Sequence, residues 1–184
     1  MDTGSSKGGL GMSGGMKGVI AEAFVALCMK KNIDKITVKD IVEVCGISRQ
    51  TFYYHFQDML DVVEWAVDQA VQEALANSLK EDTLEAALEV FLKMAVEKHE
   101  VILRLMQSQR REHLEKLFTG CIEQYLKGLL QGKAVARAIS AEDLDVAGRF
   151  YSCGVVGVLL DYCGRKDLDV KKLASQLAKL LTNI

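Results

Sequence analysis

No proline occurs in the 184 residues, and apolar side chains recur every three or four positions almost throughout. Proline breaks helices because it lacks an N–H and fixes φ, whereas a recurrence of three to four places apolar groups on one helical face. The pattern predicts an all-α chain. No stretch alternates apolar and polar residues around a hairpin turn, so strands are not expected. Residues 1–15, MDTGSSKGGLGMSGG, depart from the pattern. They carry too little apolar surface to offset the entropy of ordering, and are expected to be a disordered tail or a remnant of an expression vector.

The first helix is predicted over 16–31, with Ile20, Ala23, Phe24 and Leu27 on one face, and is broken by Asn32 and Asp34. Thr37 is placed to cap a second helix by accepting from the N–H of Asp40. Gly46 stands where a helix end needs a left-handed residue, and two residues later Ser48 can cap a third, short helix. Asp58 starts a fourth helix reaching about Leu79. Further helices are predicted near 83–97, 100–107, 109–131, 140–164 and 170–183, with Thr83, Ser140 and Asp169 as caps.

Composition excludes several classes. No apolar run approaches the ~20 residues needed to cross a bilayer. The five cysteines (Cys28, Cys45, Cys121, Cys153, Cys163) are odd in number and form no C-x-x-C pair. A disulfide framework or zinc site is therefore not expected, and a reducing cytoplasm is the expected compartment. His55, His99 and His113 are dispersed, no metal or cofactor is expected, and no acid, base and nucleophile converge in the sequence, so the chain is not read as an enzyme. The net charge is −2. Residues 16–57 nevertheless carry +2, and the chain from Asp58 onward carries −4. A nucleic-acid surface, if present, belongs at the N-terminal end.

Helix, tight glycine turn, helix is the arrangement in which the second helix enters the major groove and the first lies across the phosphates. Ile36, Val38, Ile41, Val42, Ile47, Phe52 and Phe56 are spaced to hold three short helices together. Arg49, Gln50, Thr51, Tyr53, Tyr54 and His55 fall where DNA would lie. Phe52 and Phe56, four apart, occupy the inward face and leave Tyr53 and Tyr54 turned outward. The segment ITVKDIVEVCGISRQTFYYHFQDMLDVVEW resembles the DNA-binding segment of the TetR family of bacterial transcription regulators. The resemblance covers about residues 17–65, including the spacing of Thr37, Gly46, Ser48, Phe52, Tyr54, His55 and Phe56.

That resemblance implies an N-terminal helix-turn-helix domain and a divergent helical C-terminal domain that dimerises and often binds a small effector. It implies a homodimeric reader of an inverted-repeat operator in double-stranded DNA, usually a repressor. By position, Arg49, Gln50 and Thr51 would read bases, with Tyr53 reaching the groove or its edge. Tyr54, His55, Thr37 and Lys39 would contact phosphate, and Ser48 joins the DNA-contacting set. Arginine pairs bidentately with guanine and glutamine with adenine, whereas lysine and hydroxyl donors fix register. One departure is that family members often carry lysine near the start of the fourth helix, where this chain has Met59 beside Asp58. Residues 52–65 also resemble a branch containing regulators of dihydroxyacetone kinase operons, some of which activate transcription with a coactivator protein.

Residues 16–62 are expected to form the DNA-binding domain and 63–184 the effector-binding and dimerisation domain. Phe91, Met94, Met106, Phe118, Tyr125 and Tyr151 are read either as effector-pocket lining or as ordinary core. Arg110, Arg111 and His113 form a basic knot, with Glu112 and Lys116 placed as a solvated ion pair. GLLQGKA, residues 128–134, has glycine spacing one short of a phosphate loop and no Ser or Thr after lysine, and is rejected as one. The run Val155, Val156, Val158, Leu159 and Leu160 with Gly148, Gly154 and Gly157, and the leucines 173, 177, 180 and 181, suggest an intersubunit four-helix bundle. The rival readings are a protein-interaction module controlled by a coregulator protein and, more remotely, a helical enzyme with a dispersed site.

Overall fold

The computed structural model of the chain describes residues 14–132 and 141–182. Residues 1–13 of the tail expected over 1–15, and the expected cap Ser140, lie outside the described residues; Gly14 and Gly15 instead form the start of the first helix. Among those described there are eight α-helices, one 3-10 turn and no strand. No helix among them is long and apolar enough to cross a membrane.

Local chemistry sets the boundaries of the first four helices. Helix α1 (Gly15–Cys28) gives way to a 3-10 turn at Ile33–Lys35, capped by Asn32, whose side chain accepts from the Asp34 N–H at 2.8 Å. Helix α2 (Val38–Cys45) starts at Thr37 and ends on Gly46 in the left-handed region at φ 67°. Helix α3 (Arg49–His55) starts at Ser48, and α4 (Met59–Ser78) starts at Asp58. The Asp58 carboxylate accepts from the Leu60 and Asp61 N–H groups at 2.7 and 3.0 Å. The acid beside Met59 thus stabilises a helix end.

The two helices expected near 83–97 and 100–107 are one, α5 (Leu84–Met106). Neither glycine nor proline interrupts it, and residues 98 and 99 continue the helix without a break. Helices α6 (Arg111–Gly132), α7 (Ala141–Tyr162) and α8 (Val170–Thr182) follow. Thr83 and Asp169 cap α5 and α8 by accepting from Ala86 and Lys172 at 3.1 and 3.0 Å.

Two hydrophobic clusters organise these helices. The first joins α1 to α4 through Ile20, Phe24, Ile41, Phe52, Phe56 and Val63, and Leu105 and Leu114 from α5 and α6 close it. The second is built from α4 to α8 around Leu88, Phe91, Ile122, Tyr125, Leu129 and Leu159. Full burial of such a side chain is worth about 1.5–3 kcal/mol, so these contacts dominate the stability of both clusters. Buried Ser78 donates to the Ala87 carbonyl at 2.8 Å. With its one hydrogen so used, its oxygen accepts from the Tyr125 hydroxyl, 2.9 Å away. Tyr125 stacks on Phe91 with ring centroids 4.3 Å apart, and burial raises its phenol well above the ordinary range.

One expectation for the C-terminal half changes. Leu173, Leu177 and Leu181 are buried within the subunit's own second cluster, where α8 packs on α5. Of the four leucines, Leu180 is the one that is exposed. Gly128, by contrast, lets α6 approach α4, since an added Cβ there would lie 2.8 Å from Leu75 Cδ2.

Candidate nucleic-acid interface

The turn between α2 and α3 is built by hydrogen bonds that span three to five residues. The Asp40 carboxylate accepts from the Thr37 N–H and hydroxyl, both at 2.7 Å, while Thr37 Oγ1 accepts from the Asp40 N–H at 3.3 Å. This reciprocal box fixes the start of α2. Lys31, in the turn that follows α1, places Nζ 2.6 Å from the same carboxylate. Its hydrogen bond, with those from Thr37, holds Asp40 far below the usual aspartate range. At the other end, the Gly46 and Ile47 N–H groups both donate to the Val42 carbonyl. The left-handed φ that permits this suits glycine, which has no Cβ to clash.

Ser48 then starts α3 by accepting from the Thr51 N–H at 3.0 Å, its Oγ lying 2.9 Å from Thr51 Oγ1. Phe52 is fully buried and Phe56 nearly so. The Phe56 ring meets Trp65 edge-on and carries the Lys17 ammonium 5.1 Å from its centroid. With the inward face anchored, Arg49, Gln50, Tyr53 and Tyr54 stand exposed together on the outer face, Tyr54 at 84%. Thr51 and His55 are half-buried at its edges, and the His55 ring sits edge-on to Tyr54.

The expected site residues therefore fall into two groups. Arg49, Gln50, Tyr53 and Tyr54 project outward, as does Lys39 on α2. The Lys39 ammonium is 3.7 Å from Glu43, and both side chains are about two-thirds exposed. Such an exposed pair is weak and leaves the lysine available to another anion. Thr37 and Ser48 are exposed, but their hydroxyls already serve as helix caps. Two residues not singled out from the sequence position this unit. Lys31 reaches Asp40, and Asp34 accepts from Ser108 Oγ at 2.6 Å and the Gln109 N–H at 3.0 Å, fastening the 3-10 turn to the α5–α6 corner. Both contacts join segments distant in sequence or separated by a turn, so no local pattern announces them.

Of the six residues read as pocket or core, Phe91, Met94 and Phe118 line a cavity between the two clusters. Met106 and Tyr125 are core, and Tyr151 donates to the Leu180 carbonyl at 3.2 Å. The basic knot is dispersed among surface pairs: Arg111 with Glu115, Lys116 with Glu112 and His113 with Glu64.

Comparison with known proteins agrees with this layout. Residues 20–65 match the family described as bacterial regulatory proteins, tetR family, and residues 82–183 match a transcriptional regulator C-terminal region of the TetR type. The solved dihydroxyacetone kinase operon activator DhaS is similar, with a TM-score of 0.69 at 22% identity over 91% of this chain and 94% of that one. The TetR family repressor AlkX from Dietzia sp. strain DQ12-45-1b gives 0.60 at 17% identity, covering 95% and 98%. The fatty acid degradation regulator FadR from Bacillus halodurans gives 0.60 at 18%, covering 92% and 96%. At these identities the likeness is one of fold. No curated protein matches the chain. The family matches span the turn built around Gly46 and the helical region beyond it, and the chain belongs to the TetR family of bacterial transcription regulators.

Proposed function

We propose that this regulator acts as a homodimer in which each subunit reads one half of an inverted-repeat operator with α3. Arg49, Gln50 and Thr51 contact base edges and Tyr53 the groove wall, while Tyr54, His55, Thr37, Ser48 and Lys39 lie along the phosphates. Thr37 and Ser48 contribute mainly by fixing the helix starts, because their hydroxyls are already engaged. The observation that carries the reading is the group Arg49, Gln50, Tyr53 and Tyr54, exposed side by side on a seven-residue helix whose other face is locked by Phe52. Residues 16–62 are the reading domain, and residues 63–184 form the dimerising and effector-responsive domain.

Dimerisation is assigned to the outward face of α7. Val146 and Phe150 are each 71% exposed, and the exposed Cys153 and Gly157 continue the same face at spacings of three and four. Apolar groups beside small residues allow two helices to approach closely. A dimer seated on its operator obstructs transcription, and an effector or coregulator protein that favours one spacing of the heads relieves or strengthens that block.

The test is selection of bound fragments from the source genome by the purified full chain, followed by a reporter driven by the selected fragment. Fragments sharing an inverted repeat, with reporter output lowered by the protein, support the proposal. Recovery of unrelated sequences overturns specific reading, and raised output replaces repression with activation.

A further inference from the structure

Helix α4 runs from the first hydrophobic cluster into the second and carries the head, α1 to α3, at its start. Leu105 and Leu114 pack on the head from the body formed by the later helices. Apolar contact is non-directional, so neither it nor a single helical strut fixes a rotation of the head about α4. Directional bonds do. Among the described residues, those from the head to the body start at Cys28 and at Asp34. Arg104 Nη1 donates to the Cys28 carbonyl at 3.3 Å, but the same guanidinium also serves Glu100.

The Asp34 bonds are shorter and charge-assisted, which is the stronger class. The carboxylate, on the 3-10 turn between α1 and α2, accepts from the Ser108 hydroxyl at 2.6 Å and from the Gln109 N–H at 3.0 Å. Both ends of this tie are themselves held. The Asp34 N–H donates to Asn32 Oδ1 at 2.8 Å, and buried Ser108 Oγ accepts from the Arg110 N–H at 3.0 Å. Beside the tie lies a cavity of about 280 Å³, between Ile33, Met59 and Leu60 of the head side and Arg110 and Leu114 of the body. Packing therefore does not back the bonds on that side.

We propose that Asp34 is the positioning residue that fixes the orientation of the head on the body and, with it, the spacing of half-sites that the dimer accepts. This role rests on the DNA-reading function proposed above. Adding one base pair between half-sites moves the second by about 3.4 Å and turns it by about 35°. Two heads tied at Asp34 do not follow that turn, and one of them loses its half-site. Heads released from the α5–α6 corner share the turn between them. Asp34 acts through α2, which begins just beyond the 3-10 turn, and does not itself touch DNA.

The test measures affinity for the selected operator, for versions with one base pair added or removed between the half-sites, and for a single half-site. The wild type is expected to bind the misspaced versions about 10²-fold or more weakly, because only one head engages. Asp34→Ala and Ser108→Ala should each shrink that penalty by about tenfold. Ser108→Ala changes no charge, so its half-site affinity should stay at the wild-type level, and it separates loss of the bond from loss of a carboxylate near phosphate. The double substitution should do no more than Asp34→Ala alone, since members of one network are not additive. A merely less stable protein loses affinity at every spacing alike, and a penalty left intact in both variants overturns the proposal. Deuterium exchange at the Gln109 amide tests the tie without DNA, and should be faster in Asp34→Ala by about tenfold or more. Equal exchange in the two proteins shows that the tie is not made and overturns the proposal. Faster exchange with an unchanged spacing penalty overturns the positioning role alone. A wild type that selects no inverted repeat overturns the DNA-reading function, and the positioning role with it, even where exchange shows the tie.

Discussion

Arg49 and Lys39 are both exposed cations near the same turn, yet their predicted roles differ by position. Arg49 is the first residue of α3, where side chains of a groove-entering helix reach base edges, whereas Lys39 lies near the start of α2, toward the backbone. Arg49→Ala is expected to cost about 1–3 kcal/mol on the selected operator and to relax preference at one base pair. Lys39→Ala should weaken selected and random DNA alike and reduce the salt dependence by about one ion. Competition titrations against single-base operator variants separate the two, and an unchanged preference after Arg49→Ala removes that residue from base reading. Met59 poses the opposite question. Its side chain is half-buried against the first cluster, beside the Asp58 cap. Lysine has a long apolar stem that can follow the same surface while its ammonium reaches out. Met59→Lys is therefore expected to tighten binding to all DNA and steepen the log affinity against log salt slope by about 0.9. An unchanged slope means that the ammonium does not reach phosphate.

At the scale of single elements, the turn between α2 and α3 depends on a backbone conformation that only position 46 supplies. Nothing lies within 4 Å of where a Cβ on Gly46 would be, so Gly46→Ala is opposed by φ alone. The expected cost is about 1–2 kcal/mol, lowering Tm by about 2–8 °C, with Gly46→Asn milder because asparagine tolerates the left-handed region. Thermal unfolding of the three proteins measures this, and equal Tm values exclude conformational control at the turn. The same turn shows why much of the fold was legible in the sequence. Thr37, Gly46, Ser48, Asp58, Thr83 and Asp169 act on partners within a few residues, so spacing alone reveals them. Two helices were expected where α5 runs unbroken, and packing of both halves against other helices keeps it continuous. Of the expected interface, the outward turn of Tyr53 and Tyr54 followed from the inward spacing of Phe52 and Phe56, whereas Arg49 and Gln50 were placed by the helix-turn-helix arrangement. Periodicity could not tell whether the leucines of α8 cover their own subunit or a partner, since either neighbour needs the same stripe.

For the whole molecule, that last ambiguity decides which substitutions test the dimer. A charge at Leu177 enters the subunit's own core, where the side chain is 7% exposed and packed among α5 and α8 residues. Leu177→Glu should therefore unfold the chain, because an unpaired charge buried there has neither water nor a partner. Phe150 is different, being 71% exposed in the isolated subunit, so Phe150→Glu leaves the internal packing untouched. In a two-fold interface each substitution appears twice, and two glutamates brought together on facing α7 helices repel while two aromatic rings are lost. A palindrome reader needs its heads held about one helical turn of DNA apart, or a multiple of it. Losing the interface should then convert one tight bivalent event into two weak ones, with operator affinity falling by about 10²-fold or more. Sedimentation, circular dichroism and operator titration of both variants beside the parent give the comparison. A helical monomer with weakened binding for Phe150→Glu, together with loss of helicity for Leu177→Glu, supports dimerisation through the outer face of α7. A Phe150→Glu protein that remains dimeric with full operator affinity would place the interface elsewhere.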